Sequence, residues 1–117
     1  TSSATLNSAT TAYATNPGGG ANTEVANTGT YTAGGDPLAG QNTSIASGVA
    51  IVDFADLSFT GVTLTARGAL IYNTSSAVTN AAVAVLNFGA DKTATSGTFT
   101  IQFPAFTTAA AILRISG

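Results

Sequence analysis

Eight side chains carry a formal charge: Glu24, Asp36, Asp53, Asp56, Asp91, Arg67, Lys92 and Arg114. Acid–base or metal chemistry has to be built from them, because the sequence holds no histidine and no cysteine. That removes a Ser-His-Asp triad, a thiol nucleophile and an imidazole or thiolate zinc site. Asp53 and Asp56 are the two carboxylates close in sequence. Glycoside hydrolysis needs two carboxyl groups flanking one sugar bond, roughly 5–9.5 Å apart. Three residues apart on an extended chain, these two point to opposite sides unless a turn falls between them. The plainer role is an Asx hydrogen bond that caps such a turn. With loop carbonyls the same two acids make a thin calcium site, lacking a clustered third acid. Asp91 and Lys92 read as a solvated pair in a turn.

Arg67 stands apart. It lies in Leu64-Thr65-Ala66-Arg67-Gly68-Ala69, among apolar strand residues, where a guanidinium needs a carboxylate partner or an interface. The expectation is a structural ion pair across the sheet with Asp53 or Asp56, and the sharper alternative is a contact between subunits. Gly18-Gly19-Gly20 and Gly34-Gly35 are not phosphate loops, since neither leads into a Lys-Ser/Thr pair or a helix. Asn42-Thr43-Ser44 and Asn73-Thr74-Ser75 match the glycosylation sequon, as a Thr/Asn-rich chain does by chance. No catalytic constellation, cofactor site or metal site emerges, and the chain reads as non-enzymatic.

The elements that would position these residues divide near residue 47. Residues 1–47 are rich in Thr, Ser, Asn, Ala and Gly, with turn clusters at Asn16-Pro17-Gly18-Gly19-Gly20 and Gly34-Gly35-Asp36-Pro37. Their apolar residues (Leu6, Tyr13, Val25, Tyr31, Leu38, Ile45) follow no sustained period, so this segment reads as loop or extended arm. Lying across a neighbouring subunit would order it.

Residues 48–117 read as strands. Apolar and other residues alternate through 49–54 and 57–60, and Val62, Leu64 and Ala66 oppose Thr63, Thr65 and Arg67 with a period of two. Gly68 marks a bulge or bend before Ala69-Leu70-Ile71-Tyr72, and residues 73–80 read as a polar turn. Residues 81–88 are apolar on both faces, the pattern of a central, doubly covered strand. Residues 89–97 read as a loop carrying Asp91 and Lys92. Phe99, Ile101 and Phe103 alternate with Thr98, Thr100 and Gln102 until Pro104, and 109–116 form a last strand. The fold expected is all-β: a single antiparallel β-sandwich or jelly-roll-like domain with an extended, loop-rich N-terminal segment.

Composition speaks to partners. Charged residues make up 7% of the 117, against roughly 25% in an ordinary soluble domain. A free monomer relies on a charged, mixed surface for solubility; hydroxyls and amides are cheaper to desolvate against a partner. A net charge of −2 without a Lys/Arg cluster argues against nucleic acid. No stretch is long and apolar enough to span a bilayer. The first twenty residues lack the pattern of a signal peptide, and a start at Thr1 fits loss of an initiator methionine.

Five stretches carry a resemblance: Tyr31-Thr32-Ala33-Gly34-Gly35 with Leu38-Ala39-Gly40; Asp56-Leu57-Ser58-Phe59; Leu64 to Tyr72; Leu86-Asn87-Phe88-Gly89-Ala90-Asp91-Lys92; and Gly97 to Phe103. Their ordered set, over roughly residues 29–103, resembles small virion proteins of tailed bacteriophages. It departs from that pattern at Asn87, where Asp is expected, and at Phe59, where Trp is expected. The resemblance implies a capsid cement or decoration protein on the outside of the head, homo-oligomeric (dimer or trimer) and bound to the major capsid protein. A tail, neck or fibre component is the alternative. A carbohydrate-binding or adhesive module, a reading from another class, would need exposed aromatics beside acids and amides.

Overall fold

The computed structural model describes residues 1–13 and 23–116. Among them it has five strands and no helix: β1 (Asn42–Ala46), β2 (Val49–Asp53), β3 (Leu57–Asn73), β4 (Ala81–Ile101) and β5 (Leu113–Ser116). All pairings are antiparallel, in a three-stranded sheet of order β1-β2-β5 and a two-stranded sheet of β3 and β4. The all-β reading therefore holds.

Ser47 and Gly48 both adopt positive φ, 52° and 75°. A two-residue hairpin turn needs that pair of left-handed conformations, because its twist then matches the strands it joins. The turn folds β1 onto β2, with Ala46 opposite Val49 and Asn42 opposite Asp53. β1 was not expected, since Ile45 is its one large apolar residue. It lies in the segment read as loop-rich and is exposed along its whole length.

The long hairpin follows the period-two pattern with one correction. Phe59 and Val62 are three apart and should face opposite ways. Gly61, at φ 62°, takes up an extra residue where the register shifts between them. Phe59, Val62, Leu64 and Ala66 then share one buried face, 0–7% exposed. The bulge is sealed from outside by residues 28–31: the Thr30 amide donates to the Thr60 carbonyl at 3.0 Å, and the Thr63 amide to Thr28 Oγ1 at 3.0 Å. Gly29 sits so close that a Cβ there would collide with the Thr60 carbonyl, and its φ is 51°. The bulge expected at Gly68 is present as a register shift between Ala66 and Gly68.

The buried cluster comprises Phe59, Val62, Leu64, Ala66 and Ala94, with Val25, Tyr31, Leu57, Phe88 and Phe99 packed against it. Tyr31 meets Phe59 edge to face at 5.1 Å, a favoured geometry for the ring quadrupoles. Outside that cluster, Ile51 of β2, Phe103 and Ala111 are also buried, and Phe103 meets Phe54 at 6.0 Å.

Three further expectations change. Residues 89–97, expected as a loop, continue β4. Their polar residues face outward and their backbone pairs with β3, as at Ala66–Lys92, Thr65–Thr93 and Leu64–Ala94. Residues 81–88 are not a central strand: among the described residues β4 pairs with β3 and, by one bridge, with Ala12 at Ala81. The last strand begins at Leu113, not 109, after turns whose amides bond back to Thr107. The turn at Gly34-Gly35 forms as expected, its Gly35 amide donating to the Thr32 carbonyl at 2.9 Å. The turn expected at 16–20 lies outside the described residues.

Candidate functional site

All three tyrosines and the single glutamate of the chain meet at one place. Glu24 Oε2 accepts the Tyr13 hydroxyl at 2.9 Å, while Oε1 accepts the Tyr31 hydroxyl at 3.0 Å and the Gly34 amide at 2.7 Å. The Tyr72 hydroxyl donates to the Gly34 carbonyl at 2.7 Å, and the Tyr13 and Tyr72 rings stack at 4.6 Å and 13°. β3 supplies Tyr72 as a fixed post. Tyr13 is brought to it where the chain bridges β4: the Tyr13 amide donates to the Asn80 carbonyl at 2.8 Å, and the Ala82 amide to the Thr11 carbonyl at 2.9 Å.

This arrangement favours neutral tyrosines. Partial burial, then the hydrogen bond to Glu24 and its negative charge, push Tyr13 up to about 12. Burial and the Glu24 charge push Tyr31 higher still. A nucleophilic phenolate or a general base would need the reverse. Glu24 already accepts three hydrogen bonds, so the cluster acts as a brace that ties the N-terminal segment to the hairpin.

Beside it runs a cleft of about 920 Å³, bounded by the N-terminal segment on one side and the hairpin on the other. Val25, Leu38, Leu70, Phe88 and Phe99 are among its apolar walls, and Glu24 and Arg67 are among its charged ones.

The residues singled out from sequence do not converge. Arg67 pairs with Asp91 at 3.4 Å, both about half exposed, and not with Asp53 or Asp56. Asp56 Oδ1 accepts the Phe103 amide at 2.8 Å, which pins the end of the hairpin. Asp53 is 3% exposed; its Oδ1 accepts the Phe54 amide at 2.9 Å, and its Oδ2 has no hydrogen-bond partner among the described residues. Both aspartates thus bond backbone amides, as turn-capping acids do. Among the described residues no three acidic side chains gather as a metal site would require.

The brace was missed because its members lie far apart in sequence. The available signal was stoichiometric: a lone glutamate and three tyrosines in a chain almost without charge.

Comparison with known proteins finds no match: no family model, no curated protein and no solved structure corresponds to this chain.

Proposed function

We propose that this chain is a non-enzymatic structural subunit of a virion, a cement or decoration protein on the head of a tailed bacteriophage. In this reading it binds the major capsid protein from outside, and its two sheets form the layers of a β-sandwich of jelly-roll-like type. The observation that carries the proposal is how little charge the outward surface holds. Charged residues make up 7% of the chain, and hydroxyls of the hairpin such as Ser58, Thr65, Thr93 and Thr100 are exposed in their place. A surface of this kind is cheap to desolvate against neighbours. The resemblance over residues 29–103 supports the choice of a virion as the setting.

The brace counts against the adhesive reading. Tyr13 and Tyr72 stack on each other and spend their hydroxyls within the chain, so they do not form a sugar-binding platform.

Quantitative mass spectrometry of purified particles tests the proposal. Hundreds of copies per particle are expected of a cement protein. A few dozen or fewer would move the chain to the neck or tail, and absence from particles would overturn the virion reading.

A further inference from the structure

Glu24 holds the brace together, yet its own charge is left without a cation. The side chain is half-buried, and the ion pair formed by Arg67 and Asp91 does not include it. Glu24 Oε2 accepts one hydrogen bond, from Tyr13, and a carboxylate oxygen has room for a second. Next to it in the chain, Thr23 is 1% exposed and its Oγ1 has no hydrogen-bond partner among the described residues. Buried polar groups normally have one. Thr23, Glu24 and the three tyrosines all border the cleft of about 920 Å³.

We propose that this cleft binds a small organic ammonium, with its cationic head at Glu24 among the tyrosines and its apolar body along the hairpin. Aromatic rings beside a carboxylate are the surroundings that hold such a head, because the ring faces are negative and the carboxylate supplies the countercharge. The walls beyond are apolar. Val25, Leu38, Leu70, Phe88 and Phe99 line the cleft and are each half-buried, so an apolar body would cover surface that the chain leaves partly wet.

Nothing in the chain fills this place. Residues 14–22, which join Tyr13 to Thr23 and lie outside the described residues, contain no lysine, arginine or large apolar side chain. They supply neither the cation nor an apolar plug. Four charged groups border the cleft: Glu24, Asp36, Arg67 and the Thr1 ammonium. Arg67 turns its guanidinium to Asp91 at 3.4 Å, and the Thr1 ammonium donates to the Thr23 carbonyl at 2.8 Å. An anion would meet Glu24 at the polar end with no donor to spare there, since the hydroxyls of Tyr13 and Tyr31 are already given to it.

Size separates a small molecule from a side chain of a neighbouring protein. Small-molecule pockets run from about 300 to about 1,000 Å³, and this cleft lies in that range. A single lysine reaching in would leave most of it unfilled.

The inference is independent of the virion reading, since it concerns the isolated chain. Its test is a titration of the full chain followed by intrinsic fluorescence. The sequence has no tryptophan and three tyrosines, all at the cleft, so the signal arises at the site. The probes are hexyltrimethylammonium, hexanol and hexanoate, which share an apolar chain and differ in head charge. Saturable binding is expected for the ammonium, at least about 10-fold tighter than for hexanol, with hexanoate weakest. Butyltrimethylammonium should bind several-fold more weakly than the hexyl compound. Glu24→Gln should remove the advantage of the ammonium over hexanol. Ile45→Thr, on β1 and away from the cleft, should leave every affinity unchanged. The inference is overturned by an ammonium that does not saturate, by hexanol or hexanoate binding as tightly, or by a folded Glu24→Gln variant with full ammonium affinity. Should that variant fail to fold, the comparison of the three probes on wild type decides alone.

Discussion

The hairpin β3–β4 and the sheet β1–β2–β5 are both antiparallel and nearly uncharged, yet they use their faces in opposite ways. The hairpin buries Phe59, Val62, Leu64 and Ala66 within the chain and turns hydroxyls outward. Those hydroxyls are paired across the strands: Ser58 with Thr100 at 2.8 Å, Thr65 with Thr93 at 2.9 Å, and Thr63 Oγ1 accepting the Ser96 amide at 2.9 Å. The three-stranded sheet buries Ile51 on one face and leaves Ile45 and Ile115 open on the other. Apolar area on the hairpin therefore contributes to folding, whereas on this face of the sheet Ile45 and Ile115 contribute little to it. The same chemistry does different work according to which face the rest of the chain covers.

The largest effect that would break this comparison is in the core. Phe59→Ala should cost about 3–5 kcal/mol in urea unfolding, whereas Ile45→Ala should change the stability of the monomer by no more than about 0.5 kcal/mol. Equal costs would mean that the sheet face is buried after all. Next comes the brace that attaches the N-terminal segment to the hairpin. Glu24→Ala strands two tyrosine hydroxyls and the Gly34 amide, and should cost about 2–3 kcal/mol. It should also return Tyr13 toward its ordinary value of 10 in a spectrophotometric titration.

Alkaline pH probes the same brace without mutation. Tyrosines of the unfolded chain ionise near 10, and Tyr13 of the folded chain near 12. The raised folded value means that the stabilisation is complete below pH 10 and is lost as pH rises through about 12. The urea midpoint should hold steady up to pH 10 as far as the tyrosines govern it, then fall. A midpoint that stays level through pH 12 would detach the tyrosines from stability. The smallest effect belongs to Arg67→Ala, which removes a half-exposed pair with Asp91 and should change stability by less than about 0.5 kcal/mol.

Much of the hairpin was legible because one of its faces is buried and the other wet. Val62, Leu64 and Ala66 alternate with Thr63, Thr65 and Arg67 for that reason, and the buried residues came out as buried. The stretch 89–97 was illegible for the complementary reason. All but two of its residues are exposed, so it carries the glycines and polar residues of a loop while its backbone pairs as a strand. β1 left even less trace, because a fully exposed strand needs no pattern of its own. It is placed by the Ser47–Gly48 turn and by pairing with β2. Arg67 drew attention by its apolar neighbours in sequence, but on a strand those neighbours face the other way, and the guanidinium reaches solvent and Asp91. The brace depends on contacts between residues up to 59 positions apart, from Tyr13 to Tyr72, which no local pattern records.

The outward hydroxyls of the hairpin have a consequence for how this surface behaves in different media. Threonine and serine bind no counterions and do not titrate in the ordinary range, so there is little for dissolved salt to screen. A surface faced with them would keep the same outer character from dilute water to brine, and from mild acid to mild alkali.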